Sequence, residues 1–131
     1  MKKSLLMMIA CITIFSYSPV KAETVTKNDL YLREDLILNF LFPLIDKEIK
    51  RQLGEPKQFY CSNILNIRKL EQGSYFFDVT VQVIIFEGAH KPPNDLVTIT
   101  FSNSNYKPWR AIEFKTKRLK PNEVDKCREP I

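Results

Sequence analysis

Tyr75-Phe76-Phe77-Asp78-Val79-Thr80-Val81-Gln82-Val83-Ile84-Ile85 carries an apolar residue at every odd position, with Asp78, Thr80 and Gln82 between them. A period of two marks a half-buried strand, because successive side chains leave a strand on opposite faces. Gln72-Gly73 just before it signals a turn and pairs it with an earlier strand around Ile64 to Leu70. Downstream, Leu96 to Ser102 repeats the alternation, with Val97, Ile99 and Phe101 on one face. Asn103-Ser104-Asn105 makes the next turn, and Trp109 to Lys117 forms a last strand with Ile112 and Phe114 inward.

Upstream of these strands the period becomes helical. Leu36, Ile37, Phe40, Leu41, Leu44, Ile45, Ile49 and Leu53 trace a stripe, with Asp46, Lys47, Lys50 and Arg51 on the other side, which predicts an amphipathic helix. Asp29 or Asp35 offers the N-cap, and Gly54 followed by Pro56 ends the helix. Pro43 inside it removes a backbone hydrogen bond, so a kink or break is expected near Asn39 to Phe42. The stripe is read as core in preference to a membrane-surface or partner helix, since a chain of this size needs a helix face to cover its sheet. Residues 23–34 form a polar N-terminal segment that is expected to fray at its start. One helix followed by four strands in a meander gives an α+β domain over residues 35–120, with the helix packed on an antiparallel sheet.

The opening residues are of another kind. Met1-Lys2-Lys3 precedes an apolar run from Leu5 to Phe15, Ser16-Tyr17-Ser18-Pro19 breaks it, and Val20-Lys21-Ala22 suits a signal peptidase. Residues 1–22 are therefore expected to be a secretory signal peptide. Their apolar run falls short of the roughly 20 residues a bilayer-spanning helix needs, so no transmembrane segment remains after cleavage. Met8-Ile9-Ala10-Cys11 loosely matches the box of an acylated lipoprotein cysteine. Ile12 to Phe15 stay apolar where that box turns polar, which favours Cys11 as a small hydrophobe.

Cleavage changes what composition implies. Losing Lys2, Lys3 and Lys21 leaves 17 basic residues against 15 acidic ones, which gives no general case for nucleic acid as a partner. It also leaves two cysteines, Cys61 and Cys127, and an even pair in an exported chain reads as a disulfide. That bridge would tie the polar C-terminal tail, residues 121–131, to the domain. Lys115, Lys117, Arg118 and Lys120 crowd the last strand. They suit either an anionic cell-surface polymer or an edge strand guarded by lysines, and the edge is favoured.

Catalytic signatures are missing: the chain has no HExxH, GxSxG, CxxC or phosphate-cradling glycine loop. Glu87-Gly88-Ala89-His90-Lys91-Pro92-Pro93-Asn94-Asp95 stands out between the two best strands. Its prolines stiffen it, Gly88 permits a sharp turn, and the single imidazole lies between two carboxylates. His90, Glu87 and Asp95 are the catalytic candidates, with His90 as a base oriented by Glu87 or all three as ligands of a divalent metal. Glu87, Gly88, His90, Pro92 and Pro93 are the binding candidates. The structural alternative is that His90 only fixes the loop, and on that ground no metal and no cofactor are assigned.

Two stretches carry a resemblance. Asp35-Leu36-Ile37-Leu38 through Leu41, Pro43 and Ile45 to Ile49, and Glu87-Gly88, His90, Pro92-Pro93 followed by Thr98-Ile99-Thr100-Phe101, resemble a family of small secreted proteins from Bacillus and relatives, domain of unknown function 3888. The chain departs from that pattern at Ala89, where Pro is usual, at Lys91, where Asn is usual, and at Val97, where an Asp precedes the threonine. Val97 could not take over a role of that acid in relatives, though nearby Asp95 could. The resemblance implies export and domain boundaries, and no activity.

The expectation is a secreted or extracellular monomer that binds a cell-surface or extracellular partner without catalysis, using the proline-rich loop or aromatics such as Tyr106 and Trp109. A small hydrolase or metal-dependent enzyme built on the EGAHKPP loop is the runner-up. An inhibitor that inserts this loop into a target is third.

Overall fold

A computed structural model describes residues 24–88, 91–123 and 127–131; the expected signal peptide, Cys11, Ala89 and His90 lie outside them. Helix α1 spans Lys27–Leu53. Thr26 is its N-cap. The Thr26 side chain accepts from Asp29 N–H, and the Asp29 carboxylate accepts from Thr26 N–H, a reciprocal box that satisfies two orphan donors. The helix therefore begins earlier than Asp35, and Asp29 serves the cap from inside the first turn. At the other end Gly54 adopts φ 80°, where a Cβ would be strained, and its N–H closes on the Lys50 carbonyl. The expected break near Asn39–Phe42 does not occur. The helix runs through Pro43 unbroken, with Pro43 and Asn39, the residue whose carbonyl loses its partner, both exposed.

Four antiparallel strands follow in sequence order: β1 (Gln58–Lys69), β2 (Phe77–Glu87), β3 (Lys91–Ser102) and β4 (Arg110–Arg118). Val81 pairs with Ile64 and Ile99, and Val83 with Val97, so the odd-numbered residues of β2 and β3 share one face. Leu38, Leu41, Ile45 and Ile49 of α1 cover that face. Ile45, Ile49, Val81, Val83, Val97 and Ile99 are fully buried. Burying a side chain of this kind contributes roughly 1.5–3 kcal/mol, which makes this contact the main hold between helix and sheet.

The inward assignments of Leu36, Phe40, Leu53, Tyr75 and Ile112 are corrected, since all five are exposed. Leu36 and Phe40 are 56% and 71% exposed; at about 100° of turn per residue both fall on the side of the helix opposite Leu38, Leu41, Ile45 and Ile49, which cover the sheet. Tyr75 precedes β2 and is exposed. Ile112 is exposed as well, because Thr100 pairs with Glu113 while Phe101 pairs with Ala111. Ile112 is thus the extra residue of a β-bulge, and Trp109, Ala111 and Phe114 pack on the core instead.

The other sheet face is mostly polar. Thr80 and Thr100 hydroxyls lie 3.0 Å apart, and Gln82 Nε2 donates to Thr98 Oγ1 at 3.3 Å. Ile84 and Phe86 of this face are buried. Leu119, whose N–H donates to the Asn94 carbonyl, lines a hollow over Ile84 and Leu96 with Cys61 and Arg128.

Candidate functional site

The segment from Glu87 to Asp95 proves to be a hairpin rather than a long loop. β2 runs to Glu87, β3 begins at Lys91, and these two residues pair. Gly88 takes φ 63° at the turn, a conformation glycine adopts without strain. Pro93 is exposed on β3, while the side chains of Lys91 and Pro92 lie outside the described set. Glu87 and Asp95 line one hollow together with Lys57 and Arg118. Each carboxylate already holds a cation of its own chain. Lys57 donates to Glu87 and also pairs with Glu55, and Arg118 is bonded to Asp95. The Lys57 hydrogen bond holds Glu87 below the usual carboxylate range. A carboxylate so stabilised in its charged form is a poor general acid. Among the described residues, no three His, Cys, Asp or Glu side chains converge in a way that would hold a metal.

At the opposite end of the sheet two loops meet. Asn103 joins them: its Oδ1 accepts from Phe77 N–H at 2.7 Å, and its Nδ2 donates to the Tyr75 carbonyl at 2.9 Å. Ser74 Oγ donates to the Glu71 carbonyl and accepts from Phe76 N–H. Arg110 holds the second loop through Ser104 Oγ and the Ser104 carbonyl. These bonds fix the loops that carry Tyr75, 87% exposed, and Tyr106, 92% exposed. Phe76 supports Tyr106 edge-on, with ring centroids 4.7 Å apart. A hollow of about 610 Å³ lies between them, lined by Gln72, Tyr75, Phe76, Asn103, Tyr106 and Lys107 among others.

Asn105 and Tyr106 both adopt positive φ, at 58° and 56°. Asparagine tolerates the left-handed region, but a bulky residue there is a strained outlier. Of the two aromatics proposed from sequence, Tyr106 faces solvent and Trp109 packs against the core. Tyr75 was missed because alternation carried it into the strand. The compositional signal for this end is Gly-Ser-Tyr and Asn-Ser-Asn-Tyr, the pairing of rigid aromatics with adaptable small polar residues that recurs in binding loops.

β4 is an edge strand. Lys115 pairs with Glu113, Lys117 with Glu123 and Arg118 with Asp95, so its cations are largely matched by acids of the same chain. Cys61 and Cys127 form the expected disulfide, 5.1 Å between Cα atoms. It draws the tail back so that Arg128 bonds Asp35 on α1 and stacks over Tyr31 at 4.6 Å. No described helix is long and apolar enough to cross a membrane.

A family model described as protein of unknown function (DUF3888) matches residues 33–117, and no curated protein and no solved structure matches the chain.

Proposed function

The chain belongs to the DUF3888 family, whose description carries no activity, and on the geometry we propose that it is an exported, non-enzymatic binding module. Its partner, at the cell surface or in the medium, sits on the Tyr75–Tyr106 end of the sheet. Carrying this is the rigid display of two nearly fully exposed tyrosines, one of them on a strained backbone. Strain that persists on a surface loop has to be held in place by its surroundings, and such outliers cluster at ligand-contacting sites. Tyrosine also brings large contact area at small entropic cost, which is why it anchors interfaces. Export is supported by the Met1 to Ala22 pattern and by a disulfide, which persists in oxidising compartments.

The test is depletion of the purified protein from solution by isolated cell walls stripped of lipid and by concentrated culture medium fixed to beads. Tyr75→Ser with Tyr106→Ser should weaken capture by about thirtyfold or more, the scale of one anchor residue. Unchanged capture by the double variant would sink the assignment of this end.

A further inference from the structure

The far side of α1 is apolar too. Leu32, Leu36, Phe40 and Pro43 follow one another at spacings of four, four and three, so they form a single ridge along the helix, opposite the side that covers the sheet. Leu32, Leu36 and Phe40 are 58%, 56% and 71% exposed, and Pro43 is exposed as well. Contiguous apolar patches of this kind mark interaction surfaces.

The charges beside the ridge define what it meets. Arg33, Lys47 and Lys50 border it and are exposed. Asp29 is the acid on this side, and its carboxylate is already bonded to Thr26. Arg51 is held by Glu48. Asp35 and Asp46 lie round the helix toward β1, where Asp35 holds Arg128 and Asp46 lines a hollow with Lys57 and Phe59. The result is an apolar ridge with a basic border.

A second copy of the chain is a poor fit. Antiparallel pairing of two ridges would set Lys47 against Asp29 but leave Arg33 and Lys50 without acids. Four side chains also fall well short of the roughly 800 Å² per partner that a stable interface buries. An anionic bilayer satisfies both features, since amphipathic helices lie in the headgroup region with apolar residues inward and Lys or Arg toward acidic lipids. We propose that α1 docks flat on anionic phospholipid, with Leu32, Leu36, Phe40 and Pro43 entering the headgroup–acyl boundary and Arg33, Lys47 and Lys50 on the headgroups.

Phe40→Trp in the chain from Glu23 onward, without the expected signal peptide, gives a readout local to this face, with the same chain without the replacement, which carries Trp109, as background. Vesicles of phosphatidylglycerol with brominated acyl chains should quench the added tryptophan, and brominated phosphatidylcholine should not. Adding Lys47→Gln and Lys50→Gln should raise the lipid concentration for half-maximal quenching roughly thirtyfold, at about fivefold per basic residue. All these side chains are exposed, so far-UV circular dichroism should not change. An unquenched tryptophan, or quenching that ignores both lipid charge and the lysine replacements, overturns the proposal. A lipid-independent emission shift that grows with protein concentration also overturns it and assigns the ridge to a second copy.

Discussion

Replacing both cysteines, Cys61→Ser with Cys127→Ser, removes a cross-link between residues 66 positions apart. In the chain-entropy treatment, a loop of that length restricts the unfolded chain by about 4 kcal/mol. The native contacts that the bridge brings together are a smaller matter. Arg128 and Asp35 form a partly exposed pair, worth about 1 kcal/mol, so Arg128→Ala should cost much less than loss of the bridge. Cys61 adds a second, opposing effect, because it sits at φ 57° in a strand interrupted by register shifts. Cys61→Gly with Cys127→Ser should therefore be about 0.5–1 kcal/mol more stable than the double serine variant, as glycine relieves the left-handed strain but adds unfolded-state entropy. The assay is urea unfolding followed by far-UV circular dichroism. With a slope of roughly 1.5 kcal/mol per molar, the midpoint should fall by nearly 3 M for the double serine variant. A fall below about 0.5 M would refute the reasoning.

Ile45→Ala should cost about 2–5 kcal/mol in the same unfolding assay, because Ile45 is fully enclosed between helix and sheet, whereas Phe40→Ala should stay within about 0.5 kcal/mol. Pro43→Ala should raise stability by about 1–3 kcal/mol, since an exposed mid-helix position regains a backbone donor. The Asp78 carboxyl is pushed up by burial, but the neighbouring Ser102 hydroxyl and the Arg68 guanidinium, which donates to it at 2.5 Å, outweigh this and hold it below the usual range. A depressed folded-state value makes its contribution fully present above the unfolded carboxylate value, near pH 4, and lost as pH falls through the folded one. Urea midpoints measured from pH 6 downward should thus drop below about pH 4, and less steeply in Asp78→Asn.

The strands were legible because β2 and β3 alternate apolar with polar residues from Phe77 to Val83 and from Val97 to Ser102. Alternation fails at a bulge, and Ile112 shows why: one unpaired residue reverses every face assignment beyond it. In α1, adjacent apolar pairs such as Leu36-Ile37 and Phe40-Leu41 satisfy a helical stripe while only one member of each turns inward. The start of the helix was also hidden, although Thr26 and Asp29 have the spacing of a capping box. At the candidate sites, the chain order pointed to Glu87 and Asp95, but it could not announce that Lys57 and Arg118 already hold them. The Tyr75–Tyr106 end depends on Asn103 joining two loops across 28 residues of chain, a contact that no local pattern encodes.

The two regions singled out from sequence lie at opposite ends of strands 11 and 12 residues long, more than 30 Å apart at about 3.3 Å per residue, so a single small ligand cannot use both. Binding by Tyr75→Ser with Tyr106→Ser and by Glu87→Gln with His90→Ala, compared in one capture experiment on the same partner preparation, tests the assignment most directly. Loss of capture in the tyrosine variant with wild-type capture in the Glu87 and His90 variant is the predicted result. The reverse pattern would contradict it and return the site to the Glu87–Asp95 hairpin.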